Sequence, residues 1–205
     1  MAEINDKTGL LTVAEPGVYE GDRVKGSRFV TRVERAATVD AALAVVAEAR
    51  ATWPDATHHC WAWRGDGRDA WRYADDGEPA GSAGRPILAA IDGRGLAQVV
   101  VVVVRWFGGT KLGVGGLVRA YGDAAAWALE AAGSVFEPFT TRLTLRFAYG
   151  LSGTVQSVLT AHAVAPEGAD YGGEVCLHLR VPDGQVPGLI EDLTERTAGR
   201  LVVER

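Results

Sequence analysis

The sequence predicts an α+β chain of two domains, residues 1–138 and 139–205. Three observations predict it. Strand-like and helix-like hydrophobic periods alternate along the chain, with no internal repeat. Six consecutive valines, Val99 to Val104, run straight into the glycine-rich stretch FGGTKLGVGG. From about residue 140 the pattern restarts as strand, helix, strand, strand, helix, strand, the βαββαβ order of a ferredoxin-like domain.

Each element has a local reason. GDRVKGSRFVTRVERA (21–36) mixes β-branched and charged residues and predicts a strand or hairpin. Thr38 is placed to cap a helix whose Ala42, Val45, Val46 and Ala49 recur at helical spacing, with Asp40 in its first turn. HHCWAWR and DAWRYA read as short strands around a GDG turn. DDGEPAGSAGRP is a loop leading to a short helix, ILAAIDG, with Pro86 tolerated in its first turn. An unbroken valine run is what a central strand covered on both faces requires. After it, Leu117, Tyr121, Ala124, Ala125, Ala128, Leu129 and Ala132 form one helical stripe that Gly133 ends. SVFEPF is expected to be a break between the domains. Beyond it, TRLTLRFAY, AVAPEGADYGG, EVCLHLRVP and LVVER supply strands, and LSGTVQSVLTAH and DGQVPGLIEDLTERTAGR supply helices.

Composition narrows the classes. With 47% hydrophobic and 23% charged residues the chain is a globular protein rather than a disordered one. A net charge of −5 means that any contact with nucleic acid or phosphate must come from a local basic patch. MAEINDKTGLLTVAEP has no basic region followed by an apolar one, so no signal peptide is expected. Six valines fall far short of the ~20 apolar residues of a membrane helix. Two distant cysteines, Cys60 and Cys176, offer no disulfide framework. A cytoplasmic protein without a membrane partner is the expectation.

The glycine loop carries the strongest chemical signal. A strand that ends in Gly108, Gly109, Gly113, Gly115 and Gly116 and enters a helix presents bare backbone N–H groups at the positive end of the helix dipole. Arg105, Lys111 and Arg119 add charge, and no acidic residue intervenes before Asp123. The spacing is neither GxxxxGK[ST] nor GxGxxG, so no nucleotide motif is implied. Tight strand-to-helix packing would also demand glycines.

Asp75, Asp76 and Glu78 have the chemistry of a hard-cation site or an acid–base set, with Ser82 as a nucleophile and His58 or His59 as its base. No triad spacing supports this, and the favoured role for the carboxylates is to hold the basic residues in place. His58, His59 and Cys60 cannot converge on a metal, because adjacent strand residues point to opposite faces. Trp61, Trp63, Trp71 and Trp106 are expected in the core more than in base stacking. No metal, cofactor or catalytic residue is expected.

KGSRF (25–29), DATHHC (55–60), DDGEPAGSAGRPIL (75–88) and VVVRWFGGTKLGVGGLVRAYG (102–122) together resemble the IMPACT family, in its bacterial two-domain YigZ-type branch. Trp106 stands where that family usually has tyrosine, and Ser82 where threonine is usual. The resemblance implies a first domain like domain IV of elongation factor G, a fold shared with GHMP-type kinases, and a second like the ferredoxin-like domain V of that factor. It implies translational regulation, since eukaryotic members act through a scaffold that controls a kinase of initiation factor 2. The family pattern brings Lys25 and Arg28 into the expected basic patch with Arg105, Lys111 and Arg119. The expected partner is RNA, the ribosome or a translation-related protein. An enzyme acting on a nucleotide or other phosphorylated small molecule, and a protein-only adaptor, stand as alternatives.

Overall fold

The computed structural model describes residues 8–67 and 69–205. These form two compact units, Leu10–Glu137 and Pro138–Arg205, with Thr8 and Gly9 clustering with the second.

The first unit runs β1 (Gly9–Val13), β2 (Gly17–Glu20), β3 (Arg28–Arg35), α1 (Val39–Thr52), β4 (His58–Arg64), β5 (Trp71–Ala74), α2 (Gly84–Asp92), β6 (Val99–Trp106), α3 (Val114–Ala132) and β7 (Ser134–Pro138). Five strands make one sheet in the order β2-β3-β6-β4-β5, antiparallel at every pairing. The valine strand β6 lies at its centre. Val100, Val102 and Val104 pack with Ala42, Val46 and Ala49 of α1, while Val99, Val101 and Val103 pack with Ile87, Leu117 and Tyr121 of α2 and α3. All six valines are fully buried. Coverage of both faces, not parallel strand direction, therefore sets the unbroken apolar run.

Local signals fix the helices. The Thr38 hydroxyl accepts the Ala41 N–H and opens α1. Gly133, at φ 62°, ends α3 in a conformation that disfavours a side chain. The boundary between the units falls after Glu137, within SVFEPF, and the stretch is not irregular there: Ser134–Pro138 is β7, which pairs with β1 in a two-stranded sheet. A short alternating segment carries too little periodicity to stand out from a loop.

The second unit contains β8 (Thr140–Phe147), α4 (Ser152–Ala161), β9 (Pro166–Tyr171), β10 (Val175–Pro182), α5 (Val186–Arg196) and β11 (Val202–Glu204). Its antiparallel sheet has the order β11-β8-β10-β9. Leu143, Leu145, Leu177 and Leu179 point to one face and meet Val155, Leu159, Leu189 and Leu193 of the two helices. Alternate residues on the other face, including His178 and Arg180, stay exposed. Among the described residues no helix is long and apolar enough to cross a membrane.

Candidate functional site

The glycine loop leaves β6 beside a two-residue hairpin turn, Val24 to Ser27, closed by backbone hydrogen bonds of 3.0 and 2.9 Å. Lys25 and Gly26 at its apex both have positive φ, 47° and 81°, the signature of a type I′ turn. Gly108 lies so close to this turn that a Cβ there would sit 1.9 Å from the Gly26 carbonyl carbon. Gly109 and Gly113 have φ of 85° and 72°, which favours glycine. Gly115 and Gly116 fall in the first turn of α3. Gly113 is its N-cap, no side chain caps it, and no acidic residue occupies its first turn. The loop is thus both packed against the hairpin turn and open at the helix end.

Beneath it lies a buried polar cluster. Register places Arg105 opposite Phe29 on β3 and His58 on β4, on the same face as Val101 and Val103. Arg105 is only 4% exposed, so it belongs to the interior and not to the expected basic surface. It donates to Glu78 at 2.5 Å and to the Ser27 hydroxyl at 3.2 Å. The same hydroxyl accepts the Gly108 N–H at 3.2 Å, so Arg105 and the loop backbone share one anchor. Glu78 also accepts the Tyr121 hydroxyl at 2.8 Å. His58 Nε2 stands 3.7 Å from Glu78, while its Nδ1–H donates to the Asp76 carbonyl at 2.8 Å. A carbonyl only accepts, so Nδ1 carries the proton. Burial pushes the Tyr121 hydroxyl well above its usual range, an effect that the neighbouring Cys60 and Glu78 reinforce.

The remaining acidic-loop residues are committed to the fold. Asp75 accepts three backbone N–H groups, from Gly81, Ala83 and Gly84, at 2.8 to 3.0 Å. Desolvation raises its carboxyl, but these three donors outweigh it and hold the group below the usual range. Asp76, at φ 43°, accepts the His59 N–H at 2.7 Å and pairs with Arg50 at 2.6 Å. Glu78 thus contacts Arg105 and Asp76 contacts Arg50, and among the described residues none of the three carboxylates pairs with Lys111. Cys60 is fully buried and donates to the Asp75 carbonyl; desolvation pushes its thiol up to about 12. Ser82 is buried and its hydroxyl has no hydrogen-bond partner among the described residues. His59 turns to the opposite face, where Nε2–H donates to the Trp53 carbonyl.

The exposed cations divide into two sets. Arg28 is engaged: it makes a two-pronged pair with Glu20 at 2.7 and 2.8 Å and lies 4.6 Å over the Trp106 ring. Lys25, Lys111 and Arg119 are exposed and have no ion pair among the described residues. Lys25 and Arg119 line a cleft of about 620 Å³ whose walls include Phe29, Leu112 and Trp127. Glu20, Asp22 and Asp123 line it too, so its charge is mixed. Trp61 and Trp63 are core residues, whereas Trp71 is half exposed and stacks on Tyr73.

Sequence reasoning missed Ser27, Tyr121 as a polar partner, and this cleft. One signal was present. Arg105 shares the parity of Val99, Val101 and Val103, so a strand period of two already turned it toward the α3 face.

A family model described as the Impact N-terminal domain matches residues 25–129, a span that holds every residue from Lys25 to Arg119 discussed above. A second model, a domain of unknown function (DUF1949), matches residues 145–200. An IMPACT family member of Haemophilus influenzae is 35% identical over 195 residues, covering 94% of this chain and 95% of that protein. The IMPACT family member YigZ of Escherichia coli is 36% identical over 183 residues, covering 88% and 90%. A solved structure described as that of a hypothetical protein matches with a TM-score of 0.69 and 34% identity over 96% of each chain.

Proposed function

Because the chain belongs to the IMPACT family, we propose that it is a cytoplasmic, translation-associated regulator that binds RNA or the ribosome through its glycine loop. One observation carries this reading: Lys25, Lys111 and Arg119 have no ion pair among the described residues and surround an uncapped helix end, while Arg105 and Arg28 are already engaged. Unpaired cations and free backbone N–H groups are the two requirements of a phosphate contact. Buried Glu78, Arg105 and Ser27 then act as a brace that fixes the loop from below. We also read the first unit as like domain IV of elongation factor G and the second as ferredoxin-like. The βαββαβ order and the insertion of β10 between β8 and β9 support the latter.

The cleft beside α3 favours a second reading. Its volume and aromatic walls suit a nucleotide or another phosphorylated small molecule, with Lys25 and Arg119 on the phosphate. A partner made of protein alone is the remaining outcome. Binding of a single-stranded RNA and of a free nucleotide, measured side by side across a salt series, separates them. RNA binding should weaken steeply with salt, because each neutralised phosphate releases counterions. Lys111→Ala and Arg119→Ala should each weaken it at every RNA sequence and lower the salt slope by roughly one contact. Salt-independent nucleotide binding without RNA affinity sinks the RNA reading and favours the small molecule. Absence of both leaves the protein-only adaptor.

A further inference from the structure

Among the described residues one set of soft and hard ligand atoms converges far from the glycine loop in sequence. Asp170 on β9 and Cys176 and His178 on β10 bring a carboxylate oxygen, a thiol sulfur and an imidazole nitrogen within 4.8 Å of one another. The register explains how. Cys176 pairs directly with Asp170, and His178, two residues on, shares the face of Cys176. Opposite His178 stands Gly168, so no side chain competes with the imidazole for that space. The face is solvent-accessible: Asp170 and His178 are exposed and Cys176 is partly so.

We propose that Asp170, Cys176 and His178 form a surface site for a zinc-type divalent cation, with a fourth position open to water. The donor set is what a borderline-soft cation selects, and three protein ligands plus water is its usual open arrangement. On a tetrahedron of ordinary metal–ligand lengths, ligand atoms lie roughly 3.3–3.7 Å apart. The present spacing brackets this, from 3.0 Å between His178 Nε2 and Asp170 Oδ2 to the 4.8 Å limit of the set. Without a cation the Nε2–H donates to Asp170. The cation takes that position, the ring proton moves to Nδ1, and Nδ1–H donates to the Thr144 hydroxyl now 3.3 Å away. That outer hydrogen bond orients the ring, as is usual for metal-binding histidines. The thiol proton is released to water on binding. Arg146 stands opposite Cys176 on β8, and Glu174 and Glu204 hold it at 3.7 and 3.3 Å.

Sequence spacing hides this site because its ligands come from two strands. It stands apart from the RNA reading, and its test is spectroscopic. The full chain, free of any histidine tag, reduced and stripped by a chelator, is titrated with cobalt(II). The expected result is one equivalent of saturable binding with tetrahedral visible bands and a sulfur-to-cobalt charge-transfer band, bleached by zinc. Cys176→Ser should abolish the charge-transfer band, and His178→Gln should weaken binding more than Thr144→Val, which should cost about tenfold. Cys60→Ser should leave the band intact, because Cys60 is buried. Circular dichroism confirms that each variant is folded. No charge-transfer band, one that never saturates, or one that survives Cys176→Ser overturns the assignment.

Discussion

The two central strands, β6 and β10, solve opposite problems. β6 has helices on both faces, and seven of its eight residues are buried. β10 has helices on one face, and its residues alternate between buried and accessible. A polar group has nowhere to go along β6 except its end, where Arg105 must be met by Glu78 and Ser27 inside the protein. Along β10 every second position faces water, so Arg180 pairs with Glu167 in an exposed setting. The first arrangement makes a polar residue a structural commitment; the second leaves it free to bind or to change.

The largest effect that tests this contrast is removal of an arginine from each strand. Arg105→Ala leaves Glu78 buried without its cation and should cost about 3–5 kcal/mol in chemical denaturation. Arg180→Ala removes an exposed pair and should cost ~1 kcal/mol or less. The double variant Arg105→Met with Glu78→Leu sharpens the point. Replacing a buried pair by apolar groups is often neutral, so much of the lost stability should return while RNA binding stays impaired. If the double variant binds RNA as well as the original, the brace does not position the loop.

An intermediate effect follows from threonine substitutions along the strands. Val101→Thr and Val102→Thr bury a hydroxyl on opposite faces of β6, and each should cost about 1–3 kcal/mol. In β10, Val181→Thr should cost as much, because Val181 is fully buried, whereas Arg180→Thr should stay within ~1 kcal/mol. Equal costs at Val181 and Arg180 would mean that the outer face of this sheet is covered. Denaturation midpoints of the four variants decide it.

These strands also show what was legible in the chain. The valine run announced a doubly covered strand, and the restart near residue 140 announced the βαββαβ unit, because both patterns repeat over enough residues to exclude alternatives. Thr38 and Gly133 marked helix ends through local chemistry alone. The strands β1, β2 and β7, of four or five residues each, escaped; β5 and β11 are as short, but β5 was marked by the GDG turn before it. At the site, the glycines and the positive charge of Lys111 and Arg119 were readable from the sequence. The commitment of Arg105 was not read, because charge content does not say which way a side chain faces; parity did. The two hydrogen-bond donors to Glu78, Arg105 and Tyr121, lie 27 and 43 positions away, a separation that sequence spacing does not resolve.

The smallest effect concerns acid. Asp75 is held by three backbone N–H donors at the start of α2, and its carboxyl lies below the usual range once desolvation is outweighed. Its unfolded counterpart titrates near ~3.9. A carboxyl depressed in the folded state binds its proton less readily there than in the unfolded chain. Its contribution is therefore complete above the unfolded value and is lost as pH falls through the folded one. Between about pH 5 and pH 3, the midpoint of urea unfolding should fall less steeply in Asp75→Asn than in the original chain, from a lower starting value at pH 7. The amide keeps one acceptor oxygen but turns an N–H₂ toward backbone donors, so some loss at neutral pH is expected. An exposed carboxylate of the second unit, Glu167, serves as the contrast at neutral pH: Glu167→Gln should cost ~1 kcal/mol or less, since its contact with Arg180 is screened by water. Equal slopes for Asp75→Asn and the original chain would show that the loop donors hold the neutral carboxyl as well as the charged one.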